Sequence, residues 1–214
     1  MATKKEVVSN KLTIDLSEAS DLVHAHMQDE STYHDVIHLW GPPGVGKSSI
    51  IKQVANEMNA KVVTFMAAQR AREDLVGPPY LIQPEDRNNA LKGRQPLGYT
   101  KFFPPESVLR LTKQWAEEQR AMHNAQRAVL IAEGKAEEAE KMGEYKEPGP
   151  VVLFLDEFAN AQPDVQTVYH NLILERSFGD EEYTLRDNVF LVAASNRQED
   201  GAHTYKMSAP LATR

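Results

Sequence analysis

Gly41-Pro42-Pro43-Gly44-Val45-Gly46-Lys47-Ser48 fits the pattern G-x-x-x-x-G-K-[ST] in full. On its amino side, Val36-Ile37-His38-Leu39-Trp40 is a short apolar run that reads as a buried strand. On its carboxyl side, Ile50, Ile51, Val54, Ala55 and Met58 recur at helical spacing, so a helix is predicted to begin near Gly46 and Lys47. Glycines let a chain turn tightly around an anion without Cβ clashes. Backbone N–H groups at the start of the following helix then point at that anion. At average residue usage a bare match arises in roughly one chain in a hundred of this size, and the flanking strand and helix make a chance turn rarer still. The segment Gly41 to Ser49 is therefore read as a nucleotide phosphate site. Lys47 would reach the β- and γ-phosphates, and the Ser48 hydroxyl would bind magnesium.

The remaining composition sets bounds on this reading. A chain of 214 residues suits one α/β domain with an insertion. A net charge of −7 argues against a broad electrostatic grip on nucleic acid. Absence of cysteine excludes disulfides, thiolate metal sites and cysteine nucleophiles. No apolar run approaches a membrane span, and residues 1–10 read as a loose polar leader without a signal-peptide core, so the expected location is cytoplasmic. A helix is expected from Leu12 to Met27 with Leu16, Ala19, Leu22, Val23 and Met27 on one stripe. Its His24 and His26 diverge by about 200° and so cannot share a metal; with His34 and His38 they read as surface or core residues.

Three further strands are expected. Lys61 to Met66 is the first, followed by a long irregular stretch from Ala67 to Pro105 that is functional or mobile if it is structureless. Residues 106–147 turn rich in Glu, Lys, Arg, Gln and Ala and read as one or two exposed helices, a charged insertion that is either merely solvated or a partner-binding arm, turning near Gly134. Val151 to Leu155 is apolar on both faces and ends in Asp156-Glu157; Val189 to Ala194 is similar and ends in Ser195-Asn196. Such runs are what buried parallel strands look like. Ligands of open parallel sheets bind beyond the carboxyl ends of the strands, so the three polar tips are expected to converge. Asp156 suits magnesium coordination. Glu157 suits the base that orients or deprotonates the attacking water, and the Asn196 amide suits the γ-phosphate and that water.

In this order, Gly41 to Ser48, Val151 to Glu157, Val189 to Asn196 and Leu211 to Arg214 resemble the Walker A, Walker B, sensor-1 and arginine-finger segments of the AAA+ ATPases. Asp74-Leu75-Val76-Gly77-Pro78-Pro79, Leu155 to Ala161, Gln166 to Arg176, Asn196-Arg197 and Asp200-Gly201 resemble the MoxR-like, dynein-related branch. The resemblance implies a P-loop NTPase fold: a three-layer αβα sandwich around a mostly parallel sheet, here with the charged helical insertion at about 106–147. It also implies that residues 11–214 form the large ATP-binding subdomain, without the C-terminal helical lid that family members carry. By the same resemblance, the protein is a Mg2+-dependent ATPase working in a ring, a hexamer, with Arg214 reaching a neighbour's γ-phosphate. The family couples hydrolysis to remodelling of protein partners, often ones carrying von Willebrand factor A domains.

Two other functions compete. One is a nucleic-acid motor or restriction-type translocase on the same core, with Arg70, Arg72, Arg87, Lys92 and Arg94 lining a pore; the acidic balance disfavours it. The other is a nucleotide-dependent switch without turnover. The pairing of Glu157 with Asn196 argues against that, because a switch needs no complete hydrolytic set.

Overall fold

A computed structural model describes residues 14–29, 32, 34–82, 99–179 and 183–196, with the side chains at 82 and 99 excepted. Four strands, β1 (Val36–Trp40), β2 (Lys61–Met66), β5 (Val151–Asp156) and β6 (Val189–Ser195), form one sheet in the order β1-β6-β5-β2. All three pairings are parallel, with Trp40 opposite Ser195 and Met66 opposite Asp156. Val151 to Leu155 are buried without alternation, as strands covered on both faces require.

Each face carries its own core. On one, Leu39, Val152, Phe154, Val192 and Ala194 pack against α1 (Leu16–Gln28) and α2 (Lys47–Glu57). On the other, Phe65, Leu153, Leu155, Leu191 and Ala193 pack against α7 (Pro163–Glu175) through Val165, Val168, Tyr169 and Leu172. Each fully buried aliphatic side chain contributes about 1.5–3 kcal/mol relative to exposure, so burial locks the register as well as the layers. The result is the three-layer αβα sandwich around a parallel sheet that the family resemblance implied.

Helix α1 starts at Leu16, later than the sequence pattern implied, because Asp15 and Glu18 form a reciprocal capping box. Its buried stripe is Ala19, Val23, His26 and Met27, whereas Leu16 and Leu22 are exposed. His26 is thus a core residue, its ring edge-on to Phe190.

The stretch from Ala67 to Pro105 is more regular than its composition suggested. It holds a 3-10 turn (Ala67–Gln69), a one-turn helix α3 (Glu73–Val76) and a separate antiparallel pair, β3 (Pro79–Ile82) with β4 (Tyr99–Phe102). Strands of four residues with exposed Tyr80 and Leu81 carry too little alternation to be read in advance. Gly77 sets the entry to this ribbon. Its φ is +78°, and a Cβ there would overlap the Phe103 carbonyl. No other residue satisfies both constraints.

The charged segment forms α4 (Glu106–Leu109), α5 (Lys113–Ala132) and α6 (Ala136–Met142), breaking at Gly134 and Gly143, both at positive φ. Thr112 caps α5 by accepting from the Trp115 N–H. Arg120 and Glu147 pair across the base of this arm, while Lys113 reaches Asp187 at 2.7 Å. Val129 and Ile131 remain exposed. Among the described residues no helix is long and apolar enough to cross a membrane.

The geometry at Gly77 yields a direct expectation. Gly77→Ala lowers unfolding free energy by about 2 kcal/mol or more, from the positive φ and the carbonyl overlap together. Gly149→Ala, where nothing lies within 4 Å of the added carbon, serves as the control. Equal denaturation midpoints for the two variants would contradict the account.

Candidate functional site

The chain leaves β1 at Trp40 and enters the loop at Gly41, whose N–H donates to the Ser195 carbonyl at 3.2 Å. Gly44 and Gly46 have φ of +79° and +99°. That left-handed backbone delivers the chain into α2 at Lys47, with Gly46 as an N-cap that lends no side chain to the first turn. Pro42, Pro43, Gly44, Val45 and Ser49 lie on the surface, Gly41 is buried, and Gly46, Lys47 and Ser48 are half-buried. Glycines in open space beside an uncapped helix start fit a phosphate chain, which accepts hydrogen bonds from backbone N–H groups.

The polar tips converge as the strand order requires. The Lys47 ammonium donates to the Gly41 and Pro42 carbonyls at 2.8 and 3.0 Å. It also donates to Asn196 Oδ1 at 2.9 Å, across a sequence separation of 149 residues. The Ser48 hydroxyl donates to Asp156 Oδ2 at 3.2 Å. The other carboxylate oxygen, Oδ1, accepts the Glu157 N–H at 2.9 Å, which fixes the plane of Asp156 and turns Oδ2 toward Ser48. A hydroxyl and a carboxylate are hard oxygen donors, the set that suits Mg2+.

Glu157 follows directly, in the left-handed region with φ +53° and ψ 35°. It begins a 3-10 turn (Phe158–Asn160) that runs toward α7. Non-glycine residues seldom adopt this conformation, and it carries strain that surrounding contacts must hold. Sequence alone placed Glu157 at a strand end, pointing elsewhere than Asp156; its left-handed backbone was not legible. Arg214, Arg197, Asp200 and Gly201 lie outside the described residues, as do Arg87, Lys92 and Arg94. Of the basic loop residues, Arg70 sits over the Phe65 ring at 4.6 Å and Arg72 over Phe102 at 5.7 Å.

The sequence profile of AAA, the ATPase family associated with various cellular activities, matches residues 37–205. The chain belongs to the AAA family. Residues that this membership covers include the P-loop, the Asp156 tip and the Asn196 tip, so they constitute an AAA ATPase core. Members of this family commonly form oligomeric rings. Among solved structures, similarity extends to Thermotoga maritima RuvB, titled a Holliday junction branch migration motor. It is 14% identical with a TM-score of 0.44, the match covering 93% of this chain and 41% of that one. A candidate ATPase from Cytophaga hutchinsonii is 15% identical with a TM-score of 0.43, covering 91% and 42%. The chain thus spans less than half the length of either. No curated protein matches the sequence.

Behind the polar edge of this AAA core lies a histidine that the sequence left as a surface or core residue. His38 Nε2 is 2.8 Å from Ser195 Oγ, its ring between Trp40 at 4.5 Å and Phe158 at 5.5 Å. Burial pulls its imidazole down from 6.5 to about 4, so the ring is neutral at pH 7. The unfolded ring binds its proton near 6.5 and the folded ring only near 4, so the unfolded chain holds more protons between those values. Stability from this site is complete above pH 6.5 and is lost as pH falls toward 4. Denaturation midpoints measured across that range should drop on acidification, and less steeply in His38→Leu. Some slope remains because burial also lowers His26. An unchanged slope in His38→Leu would contradict the assignment.

Proposed function

We propose that this chain is the ATP-binding and ATP-hydrolysing large subdomain of a MoxR-like AAA+ protein that remodels or assembles protein partners. The observation that carries the reading is the contact of Lys47 with Asn196 beside that of Ser48 with Asp156. Three strand ends, distant in sequence, present a cation, an amide, a hydroxyl and a carboxylate to one place, as phosphoryl transfer from a nucleotide requires.

Roles follow from chemistry and position. Gly41 to Ser49 holds the phosphate chain of ATP, with Lys47 supplying positive charge at its end. Ser48 and Asp156 would hold Mg2+, which when bound would neutralise the negative charge that develops during transfer. The Glu157 carboxylate takes the proton of the attacking water, and the Asn196 amide orients that water against the γ-phosphate. Arg214 acts in trans on the neighbouring subunit's nucleotide within a hexameric ring. The MoxR-like motifs support a protein client, possessing for instance a von Willebrand factor A domain. The seating of Arg70 and Arg72 over aromatic rings supports the protein reading over a nucleic-acid motor, because it engages two guanidinium groups within the chain.

One set of assays tests this reading: ATP hydrolysis and solution mass, with and without ATP, for the parental protein and Glu157→Gln, with DNA added in a parallel arm. The parental protein hydrolyses ATP and gains mass with nucleotide. Glu157→Gln keeps ATP binding while turnover falls about 10²–10⁴-fold, and DNA leaves the rate unchanged. Near-parental turnover in Glu157→Gln removes that residue from the mechanism, and stimulation by DNA overturns the protein-client reading.

A further inference from the structure

Ser195 is the last residue of β6 and precedes Asn196. It is buried, and three contacts meet on it. Its carbonyl accepts the Gly41 N–H at the mouth of the P-loop at 3.2 Å. Its hydroxyl oxygen accepts the Ala159 N–H at 3.0 Å and pairs with His38 Nε2 at 2.8 Å. The hydroxyl has one proton and two lone pairs. With Ala159 donating to one lone pair, the hydroxyl either donates its proton to the neutral imidazole Nε2 or accepts an Nε2–H on its second lone pair. Either way the His38 ring and the Ser195 hydroxyl are hydrogen-bonded to each other. The same ring stands edge-on to Phe158, which is buried and edge-on in turn to Tyr169.

His38 therefore touches both residues that follow Glu157, Phe158 by ring contact and Ala159 through the Ser195 hydroxyl. A glutamate at φ +53° keeps that conformation only while its neighbours over-determine it. Within the 3-10 turn itself, Asn160 N–H donates to the Glu157 carbonyl at 2.9 Å, which closes the turn but does not attach it to the sheet. Attachment at Ala159 comes from the hydroxyl of Ser195, the last residue of the strand that leads into Asn196.

We infer that His38 and Ser195 are positioning residues that clamp the turn after Glu157 onto the ends of β1 and β6, and so fix Glu157 and Asn196 relative to the P-loop. The inference rests on the proposed role of Glu157 as the base. Without the clamp, the turn relaxes toward ordinary backbone and the carboxylate leaves its place, while the phosphate-binding loop keeps its own contacts. Turnover suffers and nucleotide binding does not.

The test compares His38→Leu and Ser195→Ala with the conservative His38→Gln and Ser195→Thr, in the full chain. Turnover at saturating ATP and Mg2+ is measured beside the Kd of a fluorescent ATP analogue and the melting midpoint, with Glu157→Gln in the same series. In His38→Leu and Ser195→Ala, kcat falls about 10- to 100-fold, as small misplacements of a reacting group do, and Kd stays within about twofold. His38→Gln restores the polar contact and recovers most of the rate, as does Ser195→Thr. Where Ser195→Ala does not fold, the His38 pair decides alone. The clamp is overturned when Glu157→Gln is slow yet His38→Leu keeps the parental rate, or when kcat and binding decline together. Parental turnover in Glu157→Gln instead overturns the base assignment, and the clamp's role with it.

Discussion

Parallel pairing of β1, β6, β5 and β2 brings all four carboxyl ends to one edge of the sheet. Everything at the site depends on that alignment and on its register. With Trp40 opposite Ser195, the P-loop begins beside Asn196; with Met66 opposite Asp156, the Asp156 carboxylate stands at the same level. A slip of one residue would turn every side chain of a strand to the opposite face. Apolar side chains on both faces make such a slip costly, since Leu39, Val192 and Ala194 serve one core and Leu191 and Ala193 the other. Burial in the two cores is thus what holds Lys47 within hydrogen-bonding distance of Asn196.

Strain and anchoring complete the arrangement. Two kinds of left-handed backbone occur around the site: at Gly44 and Gly46, where no Cβ opposes it, and at Glu157, where one does. The glycines shape their loop without stored strain. Glu157 holds a left-handed backbone against its own preference, directly after the Asp156 that closes β5. The Glu157 N–H donating to Asp156 Oδ1 and the Ala159 N–H donating to Ser195 Oγ secure the two sides of that twist.

Much of this was legible in the sequence because the relevant signals are local. Gly41 to Ser48 carries its own spacing, and Val151 to Leu155 and Val189 to Ala194 announce buried strands by unbroken apolarity. Convergence of their tips followed from the rule for parallel sheets. What escaped was non-local or weakly patterned. His38 and Ser195 are 157 residues apart, and nothing in either segment signals the other. The β3–β4 ribbon has strands too short and too exposed to show a period. Leu16 and Leu22 satisfied a helical stripe on paper, but the capping box at Asp15 and the burial of His26 set the face that α1 presents. In the charged arm, propensity alone sufficed: α5 is helical with Ala116 as its buried residue, because its residue types favour helix without needing a core.

The central claim is that the P-loop, the Asp156–Glu157 tip and the Asn196 tip form a single ATP site. A crystal structure of this chain with Mg2+ and a non-hydrolysable ATP analogue measures it most directly. The account predicts the phosphates along Gly41 to Ser48, Mg2+ on the Ser48 hydroxyl and the Asp156 side, and the γ-phosphate within hydrogen-bonding distance of both Lys47 and Asn196. Nucleotide bound at Gly41 to Ser48 with Asp156 and Asn196 both remote from Mg2+ and the γ-phosphate would contradict it.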